Sequence, residues 1–162
     1  MLEGKIALIT GASRGIGKSI AQLFAKEGTF VYAISRNQED ILAWSKTVSD
    51  YSMIRAVSLD ITDENAVKKC IMDIRKESGR LDILVNNAGV EYNELIGMIS
   101  KKNMETMFAT NVYAVIELIQ YASRIMKNGG SIINISSKVG LRGNKGQLVY
   151  SATKGAVIAL TK

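Results

Sequence analysis

Short apolar segments alternate with helical ones five times along this chain of 162 residues, and that alternation narrows its fold more than any other feature. Lys5-Ile-Ala-Leu-Ile-Thr10 is a continuous apolar run, the pattern of a strand covered on both faces. Gly11 to Gly17 predicts a turn, after which Ile16, Ile20, Leu23 and Phe24 recur at helical spacing up to Gly28. Phe30–Ile34 predicts a second strand, Gln38–Val48 a helix and Ile54–Leu59 a third strand. Thr62 is expected to cap a helix starting near Asp63, with Val67, Cys70, Ile71 and Ile74 on one face and Gly79 at its end. Leu81–Val85 predicts a fourth strand. Lys102–Met126 predicts one long helix ended by Asn128-Gly129-Gly130, and Ser131–Ser136 a fifth strand. A last helix runs from about Leu148 to the chain end. The expected fold is α/β, a doubly wound parallel sheet in a single domain over residues 1–162.

Composition removes whole classes of function. The chain has no His, which excludes Ser-His-Asp and Cys-His catalysis and any His-ligated metal. Its one Cys, Cys70, permits neither an intrachain disulfide nor a Cys-rich zinc site, so no metal centre is expected and a reducing cytoplasm suits it. No apolar run approaches the roughly 18 residues of a membrane span, and the run after Met1-Leu-Glu-Gly-Lys5 is too short for a signal peptide. The net charge of +6 is unevenly placed: residues 118–162 hold seven basic and no acidic side chains. These bases, Arg124 and Lys127 among them, are dispersed and lack interleaved aromatics, so a solvated face is expected rather than nucleic-acid binding. An acidic continuation of the chain would also account for the imbalance.

Thr10-Gly-Ala-Ser-Arg-Gly-Ile-Gly17 lies between the first strand and the first helix, the context a nucleotide fingerprint requires. Glycines there let backbone approach a diphosphate, and the helix start offers N–H donors and positive potential. A bare tight turn is the plainer reading. A competing parse takes Ala12 to Ser19 as a phosphate loop, with Lys18 on the phosphates, Ser19 on magnesium and Asp60 as a second acid. If the helix starts near Gly15, Lys18 and Ser19 already lie inside it.

Tyr150 and Lys154 stand at i and i+4 on one helix face. A phenol near pKa 10 is a poor acid or base at neutral pH, and a neighbouring ammonium is expected to lower that value. Ser137 lies just after the fifth strand, at the end of the sheet where ligands bind in such folds. Ser136 is its rival, and since adjacent strand residues face opposite ways only one can serve.

Together the glycine turn, Asn86-Asn87-Ala88-Gly89, Asn111, Ser137 and Tyr150-x-x-x-Lys154 resemble the classical short-chain dehydrogenase/reductase family over the whole chain. The resemblance implies a Rossmann-like sheet of order 3-2-1-4-5 with the family's last two strands lacking here. It implies Tyr150 as general acid, Ser137 (in its S-x-x-G register) on the substrate oxygen, and Lys154 on the nicotinamide ribose and the Tyr150 phenol. Asn111 would anchor a water leading from Lys154 to solvent. Gly11, Ser13, Arg14, Gly15, Ile16 and Gly17 would hold the diphosphate, and Asn87, Ala88 and Gly89 the adenosine ribose. Asp60 and Ile61 would meet the adenine.

Arg36 at the end of the second strand, with Arg14, favours a 2′-phosphate, hence NADP(H) over NAD(H). Gly143-Asn-Lys-Gly-Gln147 resembles a segment of 3-oxoacyl-ACP reductases of fatty acid biosynthesis, which implies an acyl-carrier-protein-bound substrate, with Lys127, Arg124 and Arg142 as docking bases. The alternatives are a reductase of another small ketone, sugar or alcohol, or a non-catalytic nucleotide-binding module. The family pattern continues about 80 residues past Lys162, so a truncated and inactive form of a homo-oligomeric cytoplasmic enzyme is expected.

Overall fold

The computed structural model describes residues 1–162. Five strands, β1 (Ile6–Thr10), β2 (Phe30–Ser35), β3 (Ile54–Ser58), β4 (Leu81–Asn86) and β5 (Met126–Asn134), form one parallel sheet in the order β3-β2-β1-β4-β5. Helices α1 (Gly15–Lys26) and α2 (Gln38–Ser45) cover one face. Helices α3 (Glu64–Ser78) and α5 (Ala114–Ala122) cover the other. Alternate residues of a strand serve opposite faces, and both faces are apolar. Leu8, Tyr32, Ile34 and Leu84 pack with Val67, Ile71 and Leu118, whereas Ala7, Ile9, Val31 and Val85 pack with Ala21, Ile41 and Trp44.

Local chemistry sets most boundaries. Asp63, not Thr62, caps α3: its carboxylate accepts from the Asn65 and Ala66 N–H groups at 3.0 and 3.1 Å. The Thr62 N–H and hydroxyl are turned instead onto Asp60 Oδ1. Gly79, at φ 71°, closes α3 in the left-handed region. Helix α2 stops at Ser45, because the Thr47 hydroxyl and N–H both bond the Trp44 carbonyl and divert the chain before Val48.

The helix predicted over Lys102–Met126 is three segments and ends early. Helix α4 (Lys101–Phe108) passes into a π-turn at Ala109–Tyr113 and then into α5. The apolar pattern through Ile119, Ala122, Ile125 and Met126 suits a helix. Sheet pairing overrides it: Leu81 N–H bonds the Ile125 carbonyl and Leu81 pairs with Met126. Asn128-Gly129-Gly130 is therefore not a helix end but an irregularity inside β5, with Gly129 at φ 88° and the register shifting between Leu81 and Ile83. Two short elements had no expected counterpart: a 3₁₀ turn at Tyr51–Met53 and α6 (Val139–Arg142). Helix α7 spans Leu148–Leu160.

Strand β5 pairs only with β4, and Ile133 stands exposed on it. Such an edge is a template for another chain. The 162-residue chain is expected to self-associate, eluting with a light-scattering mass above 17.6 kDa. A strict monomer at all concentrations would contradict this.

Candidate active site

The ends of β1 and β4 are locked together beneath the glycine turn. Thr10 Oγ1 donates to the Val85 carbonyl and accepts from the Asn87 and Ala88 N–H groups, both at 3.0 Å. Asn87 Nδ2 donates back to the Thr10 and Gly11 carbonyls at 3.0 and 3.1 Å. Gly11 and Gly15 have φ of 67° and 57°, a region that favours glycine. A Cβ on Gly15 would meet nothing within 4 Å, so its bare backbone fronts open space.

Gly17 is required for a different reason. A Cβ there would lie 2.4 Å from the Gly11 carbonyl oxygen and 2.5 Å from Asn87 Nδ2. Gly17→Ala must therefore displace the backbone of the turn. It is expected to cost about 3 kcal/mol, the upper end of overpacking penalties, and to lower Tm by about 10 °C in thermal unfolding. An unchanged Tm would show that the turn yields freely.

The turn opens into a cleft of about 600 Å³ at the carboxyl ends of the strands. Of the residues assigned to the cofactor, Gly11, Ser13, Arg14, Gly15 and Ile16 line it from the turn. Arg36 lines it after β2, Asp60 and Ile61 after β3, and Asn87, Ala88 and Gly89 after β4. Gly17 lies beneath, buried. The lining also takes in Ser35, Tyr92, Thr106 and Thr110, which carry no local signal in the sequence. Asp60 faces the cleft and also forms the turn before α3. Its carboxyl is held below the usual range first by the Thr62 N–H and hydroxyl and then, against the opposing effect of burial, by the Arg36 charge. The phosphate-loop parse fails. Helix α1 begins at Gly15, Ser19 Oγ bonds the Gly15 carbonyl of its own helix, and Lys18 Nζ lies over Trp44. Neither side chain lines the cleft.

Beside the cleft, α7 is bound tightly to the end of β5. Lys154 Nζ donates to the Ile135 carbonyl at 2.8 Å, and Ser136 Oγ donates to the Lys154 carbonyl at 2.8 Å. Gly140 approaches so closely that a Cβ would lie 2.6 Å from the Lys154 carbonyl carbon. Ser136 is thus spent on structure. Ser137 Oγ has one long contact, 3.4 Å from the Val139 N–H, and is the serine left for a ligand. Asn111 sits buried within the π-turn, not in a plain helix interior. Its Oδ1 accepts from Val90 N–H at 2.8 Å, and its Nδ2 donates to the Val90 carbonyl at 2.9 Å and to Thr153 Oγ1 at 3.1 Å. Gly89 joins this group to the cleft, since its Cβ position lies 3.2 Å from Asn111 Oδ1 and 3.7 Å from Lys154 Nζ.

Electrostatics correct one expectation. Burial lowers the pKa of Lys154, whose ammonium lies over the Tyr150 ring, 5.8 Å from its centroid, and points to main chain. The Tyr150 phenol is not lowered but raised, chiefly by burial and then by the Glu91 carboxylate. Tyr150 is therefore a protonated acid at neutral pH in this arrangement. Val90, Glu91 and Gln147 complete the site and had no assigned role in the sequence: their contacts join segments far apart in the chain. Thr10 had a cue, standing directly before Gly11.

The short chain dehydrogenase family model matches residues 5–162. The chain is 36% identical to 3-oxoacyl-[acyl-carrier-protein] reductase FabG of Thermotoga maritima, an alignment covering 99% of this chain and 67% of that protein. It is 37% identical to the FabG of Vibrio harveyi, covering 99% and 66%, and 37% identical to sorbitol dehydrogenase of Cereibacter sphaeroides, covering 99% and 63%. The chain thus spans about two thirds of the length of these relatives.

Proposed function

This chain belongs to the short-chain dehydrogenase family, and on that premise we propose that the whole protein reduces a carbonyl to an alcohol with NADPH. The observation that carries the reading is the placement of Lys154 over the Tyr150 ring on α7, with Lys154 Nζ bonded to the Ile135 carbonyl two residues before Ser137 and joined through Gly89 to the glycine-lined cleft. A dinucleotide fits the residues present. The Gly15 backbone fronts open space where a diphosphate would lie, and two guanidinium groups, Arg14 and Arg36, line the cleft. The bound nicotinamide would supply the hydride.

The chain's own residues do the rest. Ser137 Oγ and Tyr150 Oη hydrogen-bond the substrate oxygen, and Tyr150 gives up its proton as negative charge develops there. Lys154 Nζ, fixed on the Ile135 carbonyl and lying over the Tyr150 ring, holds the ribose. The Asn111 amide is committed to Val90 and Thr153, so the second lone pair of Oδ1 is left to bind the water leading away from Lys154.

A 3-oxoacyl group on acyl carrier protein is the proposed substrate, supported by the FabG relatives and the Gly143–Gln147 segment. Lys127, within the irregular start of β5, and Arg142, at the end of α6, are exposed to an acidic partner. Arg124 is exposed too but stacks on Tyr121, with 5.3 Å between guanidinium and ring centroid. The sorbitol dehydrogenase relative supports a second reading, a small polyol or ketose. A cytoplasmic homo-oligomer is proposed as well, through the exposed Tyr113 and Ile116 of the α4–α5 segment. Residues 1–162 alone are proposed to be inactive. NADPH consumption by the whole protein with a 3-oxoacyl thioester, a ketose and a simple ketone tests the reading. Oxidation of NADPH with the thioester is expected, and turnover of none of the three would reject it. Thermal-shift titration of the 162-residue chain with NADPH, NADH and MgATP is independent of turnover. The largest stabilisation is expected from NADPH, and one from MgATP alone would reject the dehydrogenase reading.

A further inference from the structure

The loop after β4 is pinned at two points. Val90 is held through both its N–H and its carbonyl by Asn111. Four residues on, Glu94 N–H donates to the Gly146 carbonyl at 2.8 Å, and Glu94 pairs with Gln147 in an isolated parallel bridge. Glu94 Oε1 also accepts from Ser100 N–H and Asn103 Nδ2. Glu91 lies between these anchors and cannot drift away with a loose loop. Its carboxylate accepts a hydrogen bond from Gln147 Nε2, and the Gln147 Oε1 is held in turn by Asn144 Nδ2 at 2.7 Å. Gln147 precedes Tyr150 by three residues at the start of α7, a spacing that shares one helix face.

That places a carboxylate on the Tyr150 side of the site, and no cation pairs with it. Glu91 takes part in none of the chain's ion pairs. Lys154, the cation on the same helix as Tyr150, is turned to the Ile135 carbonyl. Lys138, Arg142 and Lys145, on the segment leading to α7, bond neither Glu91 nor Tyr150. The Glu91 charge is felt at the phenol, which it pushes upward after burial has done so. The loop's fold does not need the carboxylate, because backbone bonds and Glu94 hold it.

We propose that Glu91 is a specificity-determining residue that sorts ketones by charge, admitting a neutral reacting end and turning away one with a carboxylate close to the carbonyl. The inference rests on the reductase reading, since it needs a carbonyl at Tyr150. A carboxylate one or two carbons from that carbonyl meets a like charge, held by Gln147, on the Tyr150 side of the site. An ester or thioester at the same position carries no charge and meets no such repulsion. The site would then distinguish a 3-oxoacyl thioester from the free 3-oxo acid its hydrolysis releases.

The test compares acetoacetate with its ethyl ester as substrates of the whole protein, with NADPH, in wild type and in Glu91→Gln. Gln keeps the shape and removes the charge. The ratio of kcat/KM, acid over ester, is expected to rise about tenfold in the variant. A ratio unmoved by the substitution overturns the proposal while leaving the reductase reading intact. A wild type that reduces neither ketone overturns the proposal too, whereas the reductase reading is judged by its own three-carbonyl assay. A second readout does not depend on turnover. Titration of ¹³C-tyrosine-labelled protein by NMR, with Tyr150 assigned through Tyr150→Phe, is expected to show a lower Tyr150 midpoint in Glu91→Gln. A midpoint that stays put also overturns the proposal.

Discussion

Replacing Tyr150 by Phe is expected to leave NADPH affinity within a few-fold and to lower kcat by about 10²–10⁴, the range for a lost general acid. The phenol lies beside Lys154, and the ring it leaves behind still fills its place on α7. The pH dependence follows from the sign of its shift. Burial and Glu91 raise the Tyr150 pKa, so the acid form persists to higher pH. Reduction is expected to hold its rate through neutrality and to fall only as pH climbs through that raised value. Lys154→Ala is expected to damage both affinity and turnover, because one ammonium holds the ribose and lies over the Tyr150 ring. Single-turnover kinetics with a separate NADPH titration distinguish the two patterns. Near-wild-type turnover in Tyr150→Phe would show that the proton comes from elsewhere.

Arg36→Asp is expected to shift the NADPH/NADH preference by about 10²-fold toward NADH. One charge-assisted contact is worth about 1.5–3 kcal/mol, and the new carboxylate also repels a 2′-phosphate. The structure adds a reason for the size of the effect. Arg36 stands near Asp60 across the cleft edge and helps to hold its carboxyl ionised. Without that cation, the phosphate would face Asp60 and the new Asp together, with only Arg14 in opposition. The ratio of Kd values for the two cofactors, measured by fluorescence titration, reads this directly. An unchanged ratio would show that Arg14 alone reads the phosphate.

The parts of the site legible in the sequence are those built by neighbours. Gly11, Gly15 and Gly17 work within one turn, and Tyr150 and Lys154 share a helix face at four-residue spacing, so local geometry is enough to place them. Thr62 misled because Asp63 beside it is an equally good cap, and only the direction of the chain after β3 gives Asp63 the α3 N–H groups. The predicted helix to Met126 misled because its apolar period is real, and pairing of Met126 with Leu81, 45 positions away in the chain, takes precedence.

Alternating apolar runs and glycine spacing determined from the sequence alone that this chain would form a parallel sheet with a glycine turn after its first strand, because period and turn chemistry are properties of adjacent residues. The strand order also followed, through the family resemblance, and the sheet agrees. What only the tertiary structure decided are contacts between distant segments. Lys154 meets Ile135 across 19 positions, Asn111 meets Val90 across 21, and Gln147 meets Glu91 across 56. These contacts turn the ammonium toward main chain and hold the Glu91 carboxylate on Gln147, so burial and then that charge raise Tyr150 where the i, i+4 spacing alone predicts it lowered. A pKa depends on burial and on the charges that folding brings near, and neither is a property of spacing along the chain.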